Sequence, residues 1–153
     1  MTIEAPISKF KKSNLKIYIV VLVAFAIWCA YDGYFNEKWI KEHTDADGNP
    51  ESYLVFNRKA PQFLIGATVL LGAYLFAIKN RKITADEGEL IISDRKRISY
   101  DSIQKIDKTH FDSKGFFLIT YKGKDGKEVG QKLNDRTYDN LAAILDRLVE
   151  KIS

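Results

Sequence analysis

Hydrophobic and polar positions divide this chain into an apolar first part and a charged, alternating remainder. Ile17–Tyr31 (IYIVVLVAFAIWCAY) runs fifteen residues without a charge, and Pro61–Ile78 (PQFLIGATVLLGAYLFAI) runs eighteen. Two such runs are hard to bury in a water-soluble chain of 153 residues. In a bilayer they suit spanning helices, which satisfy their own backbone hydrogen bonds where no water is present. The first run alone gives about 22 Å of helix against a hydrocarbon core of about 30 Å, so its flanks must contribute. Lys16 can snorkel, Leu15 extends the apolar stretch, and Trp28, Tyr31, Tyr34 and Phe35 suit the far interface. The expected spans are 15–35 and 61–78, with Pro61 in the first turn of the second, where its missing N–H costs nothing.

A signal peptide also begins with lysines and an apolar stretch, and Ala24-Phe25-Ala26 has the spacing of a cleavage site. The chain stays apolar through Ile27 and Trp28, so an uncleaved anchor is expected. Lys9, Lys11, Lys12 and Lys16 precede the first span, and Lys79, Arg81 and Lys82 follow the second. Positive-inside counting then places residues 1–16 and both termini in the cytoplasm, residues 36–60 outside, and the whole in an inner membrane. Small residues recur at four-residue spacing as Ala26 and Ala30, Thr68 and Gly72, and Ala73 and Ala77, a pattern that permits close helix approach.

Within the connecting loop, residues 36–42 (NEKWIKE) suit a short amphipathic helix. Asp45, Asp47 and Asn49 fall at alternate positions, as at the start of a calcium loop. Pro50 and Phe56 stand where that loop needs Gly and Glu, so a turn is expected instead. Tyr53–Phe56 could form a strand or lie at the interface.

From Lys82 the apolar period changes towards two. Strands are expected at Ile83, at Glu89–Ser93, at Ile98–Tyr100 and onward at Ile103–Phe111, at Phe116–Tyr121 and at Glu128–Leu133. Asp86-Glu87-Gly88, Asp112–Gly115 and Asp125-Gly126 are expected turns. The pattern then becomes helical. Asp135 is a candidate cap, and Tyr138, Leu141, Ala142, Leu145, Leu148, Val149 and Ile152 lie at steps of three and four. Fold class is thus α+β: two apolar helices, then a small antiparallel β domain closed by an amphipathic helix.

The stretch GELIISDRKRISYDSIQKIDK, set before more strands and a C-terminal helix, resembles a bacterial pleckstrin-homology-like domain over about residues 82–153. That resemblance implies a seven-stranded body, of which about six strands are visible, joined to membrane spans. In lipid-binding members the first strand–turn–strand carries basic residues. The turn here is Asp86-Glu87-Gly88, so that family site does not carry over.

The net charge of +4 would suggest nucleic acid in a soluble chain, but beside a bilayer the simpler partner is anionic lipid. Candidate head-group contacts are Lys79, Arg81, Lys82, Arg95, Lys96 and Arg97. The single cysteine, Cys29, excludes an intrachain disulfide, and His43 and His110 have no ligand-type neighbours in sequence. No catalytic, metal or cofactor set is visible, and neither nucleic acid nor a small-molecule substrate is indicated. The expected role is a non-catalytic module that binds a protein partner or itself at the bilayer surface. The alternative is an accessory subunit held in a larger membrane complex through its spans.

Overall fold

The computed structural model describes residues Met1–Ser153, which fall into two compact units. One consists of Met1–Lys12 together with Ala77–Ser153, and the other of Ser13–Phe76. The second is therefore inserted into the first.

The discontinuous unit holds seven strands in two antiparallel sheets. Strands β1 (Ile3–Pro6), β2 (Lys82–Ala85), β3 (Glu89–Ser93) and β4 (Lys96–Ser99) form one sheet in that order. Strands β5 (Ile103–Asp107), β6 (Phe116–Lys122) and β7 (Glu128–Asn134) form the other. Alternation decides the inner faces. Ile83 and Ala85, Leu90, Ile98, Phe117 and Ile119, and Leu133 are buried, and the residues between them are largely not. Each large aliphatic or aromatic side chain closed off in this way contributes about 1.5–3 kcal/mol. A terminal helix, Leu141–Ile152, adds Leu141, Ile144, Leu145 and Leu148 to the same core.

β1 was not expected, because residues 1–16 read as a tail before the first span. Its four residues are too short for a period, and Pro6 argues against a strand. Yet Ile3, Glu4, Ala5 and Pro6 pair with Ala85, Thr84, Ile83 and Lys82, and Ala5 is fully buried. The proline ends the strand, where its missing donor matters least.

The terminal helix begins at Leu141, later than Tyr138, and Asp135 does not cap it. Residues 137–140 are held against the N-terminus instead. Ser8 N–H donates to the Thr137 carbonyl at 2.8 Å, Asp139 N–H to the Pro6 carbonyl at 2.9 Å, and Tyr138 bridges Ile7. Asp112–Gly115, expected as a turn, contains one helical turn at Phe111–Lys114, closed by Gly115 with φ of +70°.

In the inserted unit, α1 (Lys9–Ala30, begun in the first unit) leads into a five-residue π turn, Tyr31–Phe35, then α2 (Glu37–Glu42) and α3 (Ser52–Ile78). Counted after these, the one-turn helix 111–114 is α4 and the terminal helix α5. Both α1 with its π turn and α3 are 27 residues long and apolar enough to cross a membrane. α3 takes in Tyr53–Phe56, expected as strand or interface, and Pro61 lies inside it instead of in its first turn. Asp45–Asn49 forms a turn in which the Asp45 carboxylate accepts the Asp47 and Asn49 N–H groups at 3.0 and 2.7 Å.

Candidate functional site

Strand register gathers the two basic groups at one end of the first sheet. Pro6 pairs with Lys82, Thr84 with Ile91, and Ser93 with Lys96. The end where the chain leaves β1 and returns into β2 is therefore also the end bearing the Asp94-Arg95 turn. Ile7 N–H donates to the Arg81 carbonyl at 3.0 Å and extends the pairing past the strands.

The six residues are not equivalent. Lys79, Arg81 and Arg95 are exposed. Lys82 forms an ion pair with Glu4 of the neighbouring strand, and Arg97 one with Glu89 at 3.0 Å. Lys96 points inward, donating to the Gln131 side chain with its ammonium 6.0 Å from the Tyr121 ring centroid. Exposed ion pairs of this kind contribute about 0–1 kcal/mol, so Lys82 and Arg97 exchange their partners readily for a phosphate oxygen. Lys96 holds the two sheets together as well as carrying charge. Chemically this end can neutralise anionic oxygens, and it offers no nucleophile and base set for reaction.

The first turn of α1, Lys9–Lys12, belongs to the sheet unit and is capped there. Ser8, almost fully buried, accepts the Lys11 N–H at 3.1 Å and donates to the Arg136 carbonyl at 2.5 Å. Lys9 N–H donates to the Asp139 carboxylate at 3.0 Å. An N-cap hydroxyl is worth about 0.5–2 kcal/mol, and this one also ties the helix start to the chain before α5.

Of the small residues, Ala26, Ala30 and Thr68 line one apolar cleft of about 270 Å³ with Pro61 and Val69. Thr68 returns its hydroxyl to the Leu64 carbonyl at 2.8 Å. Ala73 and Ala77 are exposed, and a side chain at Gly72 would meet open space. Closest approach occurs elsewhere. A Cβ on Gly33 would stand 3.0 Å from the backbone carbon and oxygen of Asn57, the carbonyl that Pro61 leaves without its helical donor. Arg58 Nε donates to the Gly33 carbonyl at 3.0 Å, and the Tyr34 hydroxyl to the Arg58 carbonyl at 3.0 Å.

The sequence reading passed over Asp32, which directly follows the first apolar run. It is buried, with its oxygens accepting from Trp28 Nε1 at 2.7 Å and Asn36 Nδ2 at 2.8 Å. The signal was present as spacing: Trp28, Asp32 and Asn36 lie four apart, on one helical face. His43 stacks on Trp39 at 3.8 Å, and His110 lies 5.4 Å from the Phe116 ring. No group of three His, Cys, Asp or Glu side chains is placed to hold a metal ion. No family model, curated protein or solved structure matches the chain.

Proposed function

We propose that this protein is a two-span membrane protein whose sheet unit is a pleckstrin-homology-like module, held on the cytoplasmic bilayer surface to bind a protein partner or a second copy. One observation carries the reading: the apolar helices are inserted between two strands that pair with each other. Strands one hydrogen bond apart lie on one side of any bilayer, so the insert crosses an even number of times. Two crossings put both termini on one side, and the lysines beside the spans make that side cytoplasmic. The chain enters the inserted unit after β1 and leaves it just before β2.

Three further features support the reading. Along the apolar stretches of the long helices the outward residues are largely apolar, Val20, Phe63 and Leu70 being 66%, 76% and 73% exposed, which suits lipid better than water. A four-stranded and a three-stranded antiparallel sheet with a C-terminal helix are the elements the family resemblance implies. Lys79, Arg81 and Lys82 share an end of the sheet with Arg95, Lys96 and Arg97, where each basic side chain near anionic lipid adds about 1 kcal/mol.

For partner binding, β6 is central in its sheet, so the free edges are β5 and β7. Phe116 is half-buried and Leu118 and Lys132 are exposed beside the β7 edge, which can accept an added strand. The alternative, an accessory subunit held through α1 and α3, rests on their exposed apolar faces.

Full-length protein in native membranes is expected to resist carbonate extraction, and release into the supernatant overturns the spans. With Cys29 replaced by Ser, cysteines introduced at Ser52 and Ser153 are expected to label from opposite sides. A photo-crosslinker at Lys132 is expected to capture a partner or a second copy. Capture only from Val69 favours the subunit alternative.

A further inference from the structure

We infer that the cleft around Asp32 binds an organic ammonium group, carried either by a free amine or by a lipid head group. The cleft measures about 180 Å³ and is lined by Phe25, Trp28, Cys29, Asp32, Trp39 and Asn57. Asp32 and Cys29 are buried, while Trp28 and Phe25 are exposed walls, their rings edge to face at 6.2 Å.

Charge selects the ligand. Both groups that bond to Asp32 are neutral donors, and no lysine, arginine or histidine pairs with it. Arg58 is turned to the Gly33 carbonyl and the Tyr34 ring. A carboxylate offers about four acceptor positions, so two remain after Trp28 and Asn36 are served. A buried charge without an opposite charge is costly, and a cation entering the cleft removes that cost.

The walls select the kind of cation. Aromatic faces attract ammonium groups through their quadrupole, and they do so best where water is displaced. The volume admits an aminoethyl or trimethylammonium group and is too small for the usual drug-sized ligand of about 300 Å³ or more. A hydrated metal ion gains nothing from indole faces, and Asp32 is the only carboxylate lining the cleft. Trp39 Nε1 is buried without an acceptor, which favours an ammonium compound that also carries oxygen, as ethanolamine and choline do.

The test uses the two tryptophans the chain contains, Trp28 and Trp39, both of which line the cleft. Full-length protein in a neutral maltoside detergent is titrated with choline and with ethanolamine while intrinsic tryptophan emission is followed. A saturable change is expected with at least one of them, and none with 3,3-dimethyl-1-butanol, the neutral isostere of choline. Asp32→Asn is expected to weaken the response about tenfold, equivalent to about 1.4 kcal/mol. Asp47→Asn, in an exposed turn, is expected to leave it unchanged. No saturable change with either amine, or an equal response to the alcohol, overturns the inference, whatever the fate of the variant. An undiminished response in Asp32→Asn overturns it too. In nanodiscs, a lipid source predicts that phosphatidylethanolamine competes with the added amine and phosphatidylglycerol does not. A free-amine source predicts the same affinity in both.

Discussion

In the sheet unit, Ile83, Phe117, Ile119 and Leu133 are closed off from solvent, whereas in the inserted unit Val20, Phe63 and Leu70 keep most of their surface open. The same residue types are placed inversely. The polar groups are inverted as well. Glu4, Lys82, Glu89 and Arg97 pair on the outside of the sheets, while Asp32 is buried and bonded inside the helical unit. A core built against water explains the first arrangement, and the second is the one that the proposed bilayer setting would favour. Apolar area facing hydrocarbon costs nothing there, but an unpaired polar group does.

The largest effect expected concerns β1. A fragment of residues 82–153 lacks the strand that pairs with β2 and the buried Ala5, and is expected not to fold. Residues 1–8 joined by a short glycine-containing turn to 79–153 restore it, since Ile7 and Arg81 are already hydrogen-bonded. Amide dispersion by NMR and urea unfolding distinguish the two. A folded 82–153 fragment would break the view that the insert divides one cooperative unit.

Equal deletions in the two units sharpen the contrast. Phe117→Ala is expected to cost about 3–5 kcal/mol, because it empties a packed core. Phe63→Ala, at an exposed position, is expected to change the stability of the detergent-solubilised protein by less than about 0.5 kcal/mol. Urea unfolding monitored by circular dichroism measures both, and a similar loss at Phe63 would place that ring in a protein contact.

Next in size is Gly33→Ala. Crowding against the Asn57 backbone is expected to cost about 1–3 kcal/mol of thermal stability in the helical unit. Gly66→Ala, with open space around it, is the neutral control.

The smallest effect is a pH dependence at Tyr100. Burial, first among the causes, raises its phenol above the ordinary tyrosine value, and the hydroxyl donates to the Asp86 carbonyl at 2.7 Å. The folded state thus favours the neutral phenol. Its contribution is complete below the unfolded pKa of about 10 and is lost as pH rises through the folded value. Stability measured between about pH 8 and 11 is expected to fall more steeply in the wild type than in Tyr100→Phe. Equal slopes would remove Tyr100 as the source.

Helices and strands with a long or strong pattern were legible. The apolar runs, the β6 alternation of Phe117 and Ile119, and the Leu141–Leu148 stripe each carry enough residues for a period to show. Failures came where a partner distant in sequence overrode local preference. Ile3–Pro6 is a strand only because β2 lies beside it. Residues 137–140 stay extended because Ser8 and Pro6 hold them, and Pro61 is tolerated inside α3, where Gly33 packs against the carbonyl it frees. The basic residues were readable one by one, but their meeting at one sheet end depends on register. Asp32 was overlooked because a carboxylate next to an apolar run reads as the run's end.

The order of residues alone determined that two long stretches of this chain favour hydrocarbon over water and that the remainder alternates and then turns helical, because those preferences are local and accumulate over many positions. Only the tertiary structure decided that the first twelve residues belong with the last seventy-seven, that the helices interrupt a pair of strands, and that Asp32 shares a cleft with Phe25, Trp28 and Trp39. Each of those is a pairing across a long separation, and its free energy exists only once both partners are in place.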